Sequence, residues 1–172
     1  GEQMVPYAVQ VVGALAASFM RLVDDSDEDD EDDATLAALG VMQALGTMMD
    51  AVSNYDGPKA EVYRAMEAPL MPLLNRCCMP DAEDYFEEML GLLSYLTYYA
   101  AAISPQLWEL VPRLHAVYHD WGKEYLNSLS VALDNFITRS PEAFLTLHNG
   151  QLVQHVVSIC RDALVSPADD AC

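Results

Sequence analysis

The sequence predicts an all-α protein, a HEAT-like solenoid of antiparallel helical hairpins with about seven to nine helices. Apolar residues recur at spacings of three and four through nearly the whole chain, and no segment shows the period-two alternation of a strand. When the expected helices are grouped in pairs, each pair forms a hairpin of about 40 to 47 residues. Many helices are apolar on more than one face, as stacking between two neighbours requires. We therefore interpret residues 1–172 as one segment of solenoid, with a compact helical bundle as the competing architecture.

The first two helices are expected on either side of an acidic tract. The first runs from about Val5 to Val23, and the second ends at Asp56-Gly57-Pro58, because glycine and proline together terminate helices. The apolar face of the second helix repeats over four turns: it consists of Ala38, Val41, Met42, Leu45, Met48, Met49 and Val52.

The third helical segment is expected over residues 59–79 and contains Pro69 and Pro72. Each of these prolines removes a backbone hydrogen-bond donor, so we expect a kink or a split there. Pro80-Asp81 then marks the start of a new helical segment. The next helix follows helical spacing through Tyr85, Met89, Leu92, Leu93 and Leu96.

Later helix boundaries are set by short serine, proline and glycine signals. Ser104-Pro105 predicts a helix start, with the serine hydroxyl at the N-cap and the proline in the first turn. Ser140-Pro141 predicts the start of another, shorter helix. Trp121-Gly122 and Asn149-Gly150 interrupt the helical pattern. The apolar positions between these signals are Leu107, Leu110, Val111, Leu114, Val117, Tyr118, Tyr125, Leu129, Ala132, Leu133, Phe136, Leu152, Val156, Ile159, Cys160 and Ala163.

The charge balance is strongly acidic, with 27 Asp and Glu residues against 8 Lys and Arg, for a net charge of −19. Nucleic acid is excluded as a partner, because phosphate binding needs clustered basic residues and the eight here are scattered. Anionic membrane surfaces are disfavoured for the same reason. The most apolar run, Val5 to Val23, contains Pro6, Gln10, Ser18 and Arg21, so a membrane span is not expected. A basic protein is the partner that this charge would attract.

The acidic tract between the first two helices holds nine acids in ten residues. Such a block repels itself, so we expect an exposed loop over residues 24–33 with Asp33 as the N-cap of the next helix. Three interpretations compete: a solvated linker, an electrostatic binding site for a Lys/Arg-rich partner, and a calcium-binding loop. A calcium-binding loop is disfavoured because position twelve is Thr35 or Leu36 where a glutamate is needed, and the turn glycine is missing. The candidate partner-binding residues are Asp24, Asp25, Asp27, Glu28, Asp29, Asp30, Glu31, Asp32 and Asp33.

Sequence signatures of catalysis are missing, and we expect neither enzyme activity nor a cofactor. The chain has no G-x-S-x-G elbow, no glycine-rich phosphate loop and no H-E-x-x-H motif. His115 and His119 lie at i, i+4 and could share a metal, but no third ligand is evident and we expect ordinary histidines. The aromatic residues Trp108, Trp121, Tyr125 and Phe136 fall at seam positions, where packing is the expected role.

From Asp84 to Phe144 the chain resembles the importin-β superfamily, specifically receptors of the importin-seven and importin-eight type. The resemblance is carried by four runs in the family's order and at similar separations. These are Asp84-Tyr85-Phe86-Glu87-Glu88-Met89-Leu90, Ile103-Ser104-Pro105-Gln106-Leu107-Trp108-Glu109-Leu110-Val111-Pro112, Glu124-Tyr125-Leu126 and Leu133-Asp134-Asn135-Phe136-Ile137. A weaker likeness extends to Thr35–Val52 and Leu152–Leu164.

The resemblance implies an intracellular carrier, several times longer than this chain, that moves between cytoplasm and nucleus. Such receptors bind the GTPase Ran, carry basic cargo such as histones and ribosomal proteins, and contact nucleoporins while they cross the nuclear pore. The family grips Ran mainly through its amino-terminal repeats, so the resemblance assigns Ran contacts to parts of the parent chain outside this segment. The alternative function is a scaffold or adaptor solenoid for protein–protein interaction, unrelated to transport.

Overall fold

A computed structural model describes residues 4–24 and 31–165, and those residues form helices and connecting turns without a strand. The all-α prediction is confirmed. The nine α-helices of the described ranges are α1 (Met4–Asp24), α2 (Glu31–Ser53), α3 (Lys59–Arg76), α4 (Phe86–Tyr99), α5 (Pro105–Trp108), α6 (Leu110–Asp120), α7 (Leu126–Arg139), α8 (Pro141–Thr146) and α9 (Gln151–Val165). Short 3-10 segments lie at Pro80–Tyr85, Lys123–Tyr125 and Leu147–Gly150.

The first three helices pack along apolar stripes that the periodicity places on one face. Helix α1 buries Ala8, Val12, Ala16 and Phe19, at successive spacings of four, four and three. Its main neighbours are α2 and α3. The approach of α1 to α3 is close at Gly13, where an added Cβ atom would stand 3.7 Å from Cβ of Pro69.

Helix α3 continues through both of its prolines, so of the expected kink or split the split is wrong, and the kink stays a prediction. It runs as one element from Lys59 to Arg76 with Pro69 and Pro72 inside it. A proline removes only its own backbone N–H, while burial continues on both sides: Leu70 and Leu73 are fully buried. Packing against α1 thus keeps the segment helical where local propensity favours a break.

Helix α4 occupies the centre of the described part and contacts α2, α3 and α7. It needs more than one apolar face for this, and Met89, Leu90, Leu93 and Leu96 are all essentially buried. The main helix contacts then pass from α4 to α7 and from α6 to α9, so later helices stack on earlier ones along the chain. The arrangement is the helical solenoid that the sequence predicts.

Helices α1 and α2 are also long and apolar enough to cross a bilayer, by length and composition alone. The windows that meet this criterion are Pro6–Asp24 and Asp32–Ser53. The first window contains Pro6, Gln10, Ser18 and Arg21, which argue against a membrane span. In the structure both helices use part of their apolar surface for packing, with Phe19 of α1 and Met49 of α2 fully buried. Core helices of a folded domain meet the same length and composition criterion.

Candidate functional site

Helices extend from both sides into the tract that the sequence predicts as a loop over residues 24–33. Helix α1 continues to Asp24, and α2 begins at Glu31. Asp33 therefore lies in the first turn of α2, and its prediction as the N-cap is wrong. Carboxylates near a helix N-terminus interact favourably with its free N–H groups, which explains why the helix extends into the tract. Five predicted cargo-binding residues lie outside the described residues: Asp25, Asp27, Glu28, Asp29 and Asp30.

Asp24 is bound to a basic side chain of the same chain. Nε of Arg76 lies 3.0 Å from Oδ1 of Asp24, while Nη1 and Nη2 of Arg76 bind the two carboxylate oxygens of Asp81 at 2.9 and 3.0 Å. Arg76 is largely buried and loses solvation, which lowers its pKa, but the hydrogen bonds to the two carboxylates outweigh this and raise it. This arginine joins the end of α1 to the segment after α3.

Further acidic residues follow Asp81 in the sequence, in the 3-10 segment and at the start of α4. The ring of Tyr125 packs edge to face against Phe86 with centroids 5.4 Å apart, so the segment that holds Glu124 lies beside the start of α4. There Glu87 accepts a hydrogen bond from Ser128 at 3.0 Å. Burial raises the pKa of the Tyr125 hydroxyl, and four carboxylates raise it further by their negative charge. The four are Glu124, Glu83, Asp84 and Glu87.

We define the acidic edge as Asp24, Asp81, Glu83, Asp84, Glu87 and Glu124. Sequence reasoning found only the first of these as a site residue. The density of acids in 81–88 was available as a signal, but the link between Asp81 and Asp24 depends on Arg76, which is 52 positions from Asp24 along the chain. Lys123, beside Glu124, is itself bound to Asp162 at 2.8 Å. Arg76 already neutralises Asp24 and Asp81, whereas no ion pair within the described residues involves the other four acids of the edge, and those four suit a basic ligand.

The histidines form a cluster that the sequence did not predict. His115 on α6 lies with its ring centroid 4.6 Å from that of His119 and 4.4 Å from that of His155 on α9. Burial and the two neighbouring imidazoles lower the pKa of His115. Within residues 4–24 and 31–165, no group of three His, Cys, Asp or Glu side chains is arranged to hold a metal ion. His119 instead hydrogen-bonds Ser158 through Nε2 at 3.1 Å.

Comparison with known proteins then identifies the family. Over 92% of its length, the chain is 32% identical to part of the importin beta-like SAD2 homolog of Arabidopsis thaliana. The chain is homologous to a segment of importin-family proteins. It is also 26% identical over 92% of its length to the probable importin-7 homolog of Dictyostelium discoideum, and 22% identical over 98% to human importin-8. No protein-family model and no solved structure matches the chain.

This importin homologue spans 14 to 16% of the length of these relatives. The matches extend over almost the whole chain, so they include both the acidic edge and the helices that position it. The predicted resemblance is thereby confirmed, and it reaches beyond the region from Asp84 to Phe144 in which its strongest runs lie.

Proposed function

We propose that this chain is a segment of a nuclear import receptor, and that its acidic edge holds basic protein cargo, of the histone or ribosomal-protein kind, during movement between cytoplasm and nucleus. The observation that carries the proposal is the acidic edge itself, placed on a solenoid of the importin family. The action we infer is binding without catalysis. Carboxylates on a stacked-helix surface attract a cationic protein from a distance and replace part of its counterion shell on contact.

The predicted acidic tract belongs to the same proposal. Asp24 connects it to the edge through Arg76, and Asp32 and Asp33 are exposed at the start of α2. Residues 24–33 are thus proposed to extend the cargo surface beyond the edge. Ran and nucleoporins are proposed as partners of the parent receptor, with Ran bound by repeats outside this segment.

The cargo proposal is tested by removing charge at matched positions. One variant carries Glu83→Gln, Asp84→Asn and Glu124→Gln, which removes three charges from the edge. The control carries Asp56→Asn, Glu61→Gln and Glu142→Gln, three acids outside it; Glu61, for instance, lies in the first turn of α3, at the end opposite Arg76. Both variants have the same net charge, so any difference between them depends on position.

Affinity for a core histone dimer is measured at low ionic strength and at about 0.15 M salt. We expect the edge variant to bind several-fold more weakly than the control at low salt, with the gap narrowing as salt screens the charges. Equal affinities for the two variants would show that only net charge matters and would remove the edge from the site. A third variant, with the acids of 24–33 changed to Ser and Asn, tests the tract in the same assay.

The transport part of the proposal is tested separately with the full-length parent protein. We expect Ran loaded with GTP to retain the parent in a pull-down, and Ran loaded with GDP to retain much less. Retention that does not depend on the nucleotide, or no retention, would favour a scaffold solenoid over a receptor.

A further inference from the structure

A groove lined by tyrosines lies on the surface between α4 and α7. It encloses about 300 Å³. Tyr98 and Val131 at its rim are 52% and 57% exposed, large values for an aromatic and a branched apolar side chain. We call this the tyrosine groove, and it is lined by Ser94, Tyr95, Tyr98, Tyr99, Val131 and Asn135.

The rings of the groove are held in fixed positions by a stack that continues into the core. Tyr99 lies parallel to the buried Tyr63, with ring centroids 4.9 Å apart, and nearly parallel to Tyr95 at 6.1 Å. The Tyr63 hydroxyl donates to the carbonyl of Met49 at 2.6 Å, which anchors the inner end of the stack. Tyr98 meets Tyr99 edge to face at 4.8 Å. Rings fixed in this way lose little entropy when a ligand binds.

The amide and serine donors around the groove are used within the protein. Nδ2 of Asn135 donates to the carbonyl of Ser94 and to Oγ1 of Thr97 at 3.1 and 3.2 Å, and the Ser94 hydroxyl donates to the carbonyl of Leu90 at 2.8 Å. Within the described residues, every buried side-chain oxygen and nitrogen has a partner. The amide oxygen of Asn135, to which no described residue donates, therefore keeps some contact with solvent, although the residue as a whole is only 8% exposed. A ligand rich in donors suits such a site.

Charge favours a cationic ligand. The hydroxyl of Tyr95 lies 3.4 Å from Oδ1 of Asp50, which puts a carboxylate beside the groove, and the whole chain carries a net charge of −19. The guanidinium carbon of Arg139 already lies 5.4 Å from the centroid of the Tyr98 ring. Arg139 therefore already occupies one face of this ring, and a partner's guanidinium would stack on the opposite face or replace Arg139.

We propose that the tyrosine groove binds arginine side chains of a basic protein partner. The inference deepens the proposed function and rests on it, because it supplies a short-range contact for a partner that the acidic edge attracts at long range. Arginine is favoured over lysine, because its planar guanidinium stacks on aromatic rings and offers five N–H donors to acceptors at the groove. A contact of this kind depends less on salt than the contacts of exposed carboxylates do.

The test measures binding of a fluorescent oligo-arginine peptide, and of an oligo-lysine peptide of the same length, at about 0.15 M salt. We expect Tyr98→Ala to weaken binding of the arginine peptide about two- to fivefold, the range for one exposed cation–π contact. Tyr98→Phe should keep most of the affinity because it keeps the ring. Tyr7→Ala is the control, since Tyr7 is 65% exposed and lies on α1 away from the groove. The lysine peptide should bind more weakly than the arginine peptide.

A second measurement keeps the inference testable if Tyr98→Ala disturbs the fold. In the unmodified chain, the ring proton resonances of Tyr98 should shift on addition of the arginine peptide, and those of Tyr7 should not. Unchanged Tyr98 resonances, or equal affinity of Tyr98→Ala and the unmodified chain, would overturn the proposal that the tyrosine groove binds arginine. The proposal for the acidic edge would be unaffected. Binding of an uncharged phenylalanine peptide with the same affinity and the same Tyr98 dependence would also overturn it. Failure of every basic peptide to bind would overturn the proposed function as well.

Discussion

The indole ring of Trp108 packs against the phenyl ring of Phe136, with centroids 5.0 Å apart and planes tilted by 56°. Trp108 ends the short helix α5 and Phe136 lies in α7, so this pair joins neighbouring elements of the solenoid. Trp108 is 4% exposed and Phe136 is fully buried. Both residues thus occupy the packed seam positions that the sequence predicts for them.

Truncation of Trp108 should lower the stability of the fold. Trp108→Ala removes the indole from a closed site, and we expect a loss of about 3 to 5 kcal/mol in the free energy of unfolding. Urea denaturation measures the loss. Leu145→Ala serves as the control: Leu145 is 61% exposed, and its truncation should stay within about 0.5 kcal/mol. A loss below about 1 kcal/mol for Trp108→Ala would mean that the site collapses easily and that the seam is not a packed interface.

The two Ser-Pro helix starts differ in the structure although they look alike in sequence. The hydroxyl of Ser104 accepts a hydrogen bond from the N–H of Leu107 at 3.2 Å and donates to Glu67 on α3, whereas Ser140 makes no side-chain capping bond. We expect Ser104→Ala to lower the free energy of unfolding by about 1 to 2 kcal/mol, because both the N–H of Leu107 and the buried carboxylate of Glu67 lose a partner. Ser140→Ala should cost less than about 0.5 kcal/mol. Thermal denaturation of the two variants side by side gives the comparison, and equal losses would contradict it.

The sequence predicted helices and their buried faces well because both follow from local pattern. The starts at Pro105 and Pro141 and the interruption at Trp121 depend on neighbours within a few positions. The continuity of α3 through Pro69 was not predictable in this way, because the packing of α1 decides it. Local signals mark where a helix can stop, and tertiary contacts decide whether it does.

The candidate site was predictable only in part, for the same reason. The charge of the acidic tract is visible in the sequence, but its connection to Asp81 passes through Arg76. The approach of His155 to His115 joins α9 to α6 across 40 positions of sequence (155 − 115 = 40). Contacts between helices far apart in sequence leave no periodic signal, so a single sequence does not reveal them.

Gly122 is required where α6 ends. Its N–H donates to the carbonyl of Val117 at 2.8 Å, and an added Cβ atom would stand 2.8 Å from Cγ1 of Val117. We expect Gly122→Ala to lower stability by about 1 to 3 kcal/mol, because the side chain of Val117 is buried and has little room to move. Gly91→Ala is the matched control, since a Cβ there meets nothing within 4 Å inside α4. It should raise stability by about 0.5 to 1 kcal/mol. Chemical denaturation should give changes in the free energy of unfolding of opposite sign for the two variants. A stabilised Gly122→Ala would show that a Cβ atom at this position is not crowded by Val117.

The histidine cluster should make stability depend on pH in the mildly acidic range. The pKa of His115 is lowered in the folded state by burial and then by the nearby imidazoles of His155 and His119. The unfolded state therefore binds a proton more readily, and stability is lost as the pH falls below about 6.5, the pKa of an unperturbed histidine. Above that value the imidazole is neutral in both states, and its contribution is complete. We expect His115→Gln to reduce the fall in melting temperature between neutral and mildly acidic pH, relative to the unmodified chain.

His148→Gln is the control for this experiment. His148 is the remaining histidine of the chain and lies 3.4 Å from Glu109, outside the cluster. All three proteins contain the same carboxylates, so the differences between their curves report mainly on the imidazoles. Below a pH of about 6.5, the melting temperature of His115→Gln should therefore fall less steeply with decreasing pH than that of the unmodified chain. His148→Gln should not show the same reduction. Identical curves for His115→Gln and the unmodified chain would mean that protonation of the cluster does not oppose the α6–α9 contact.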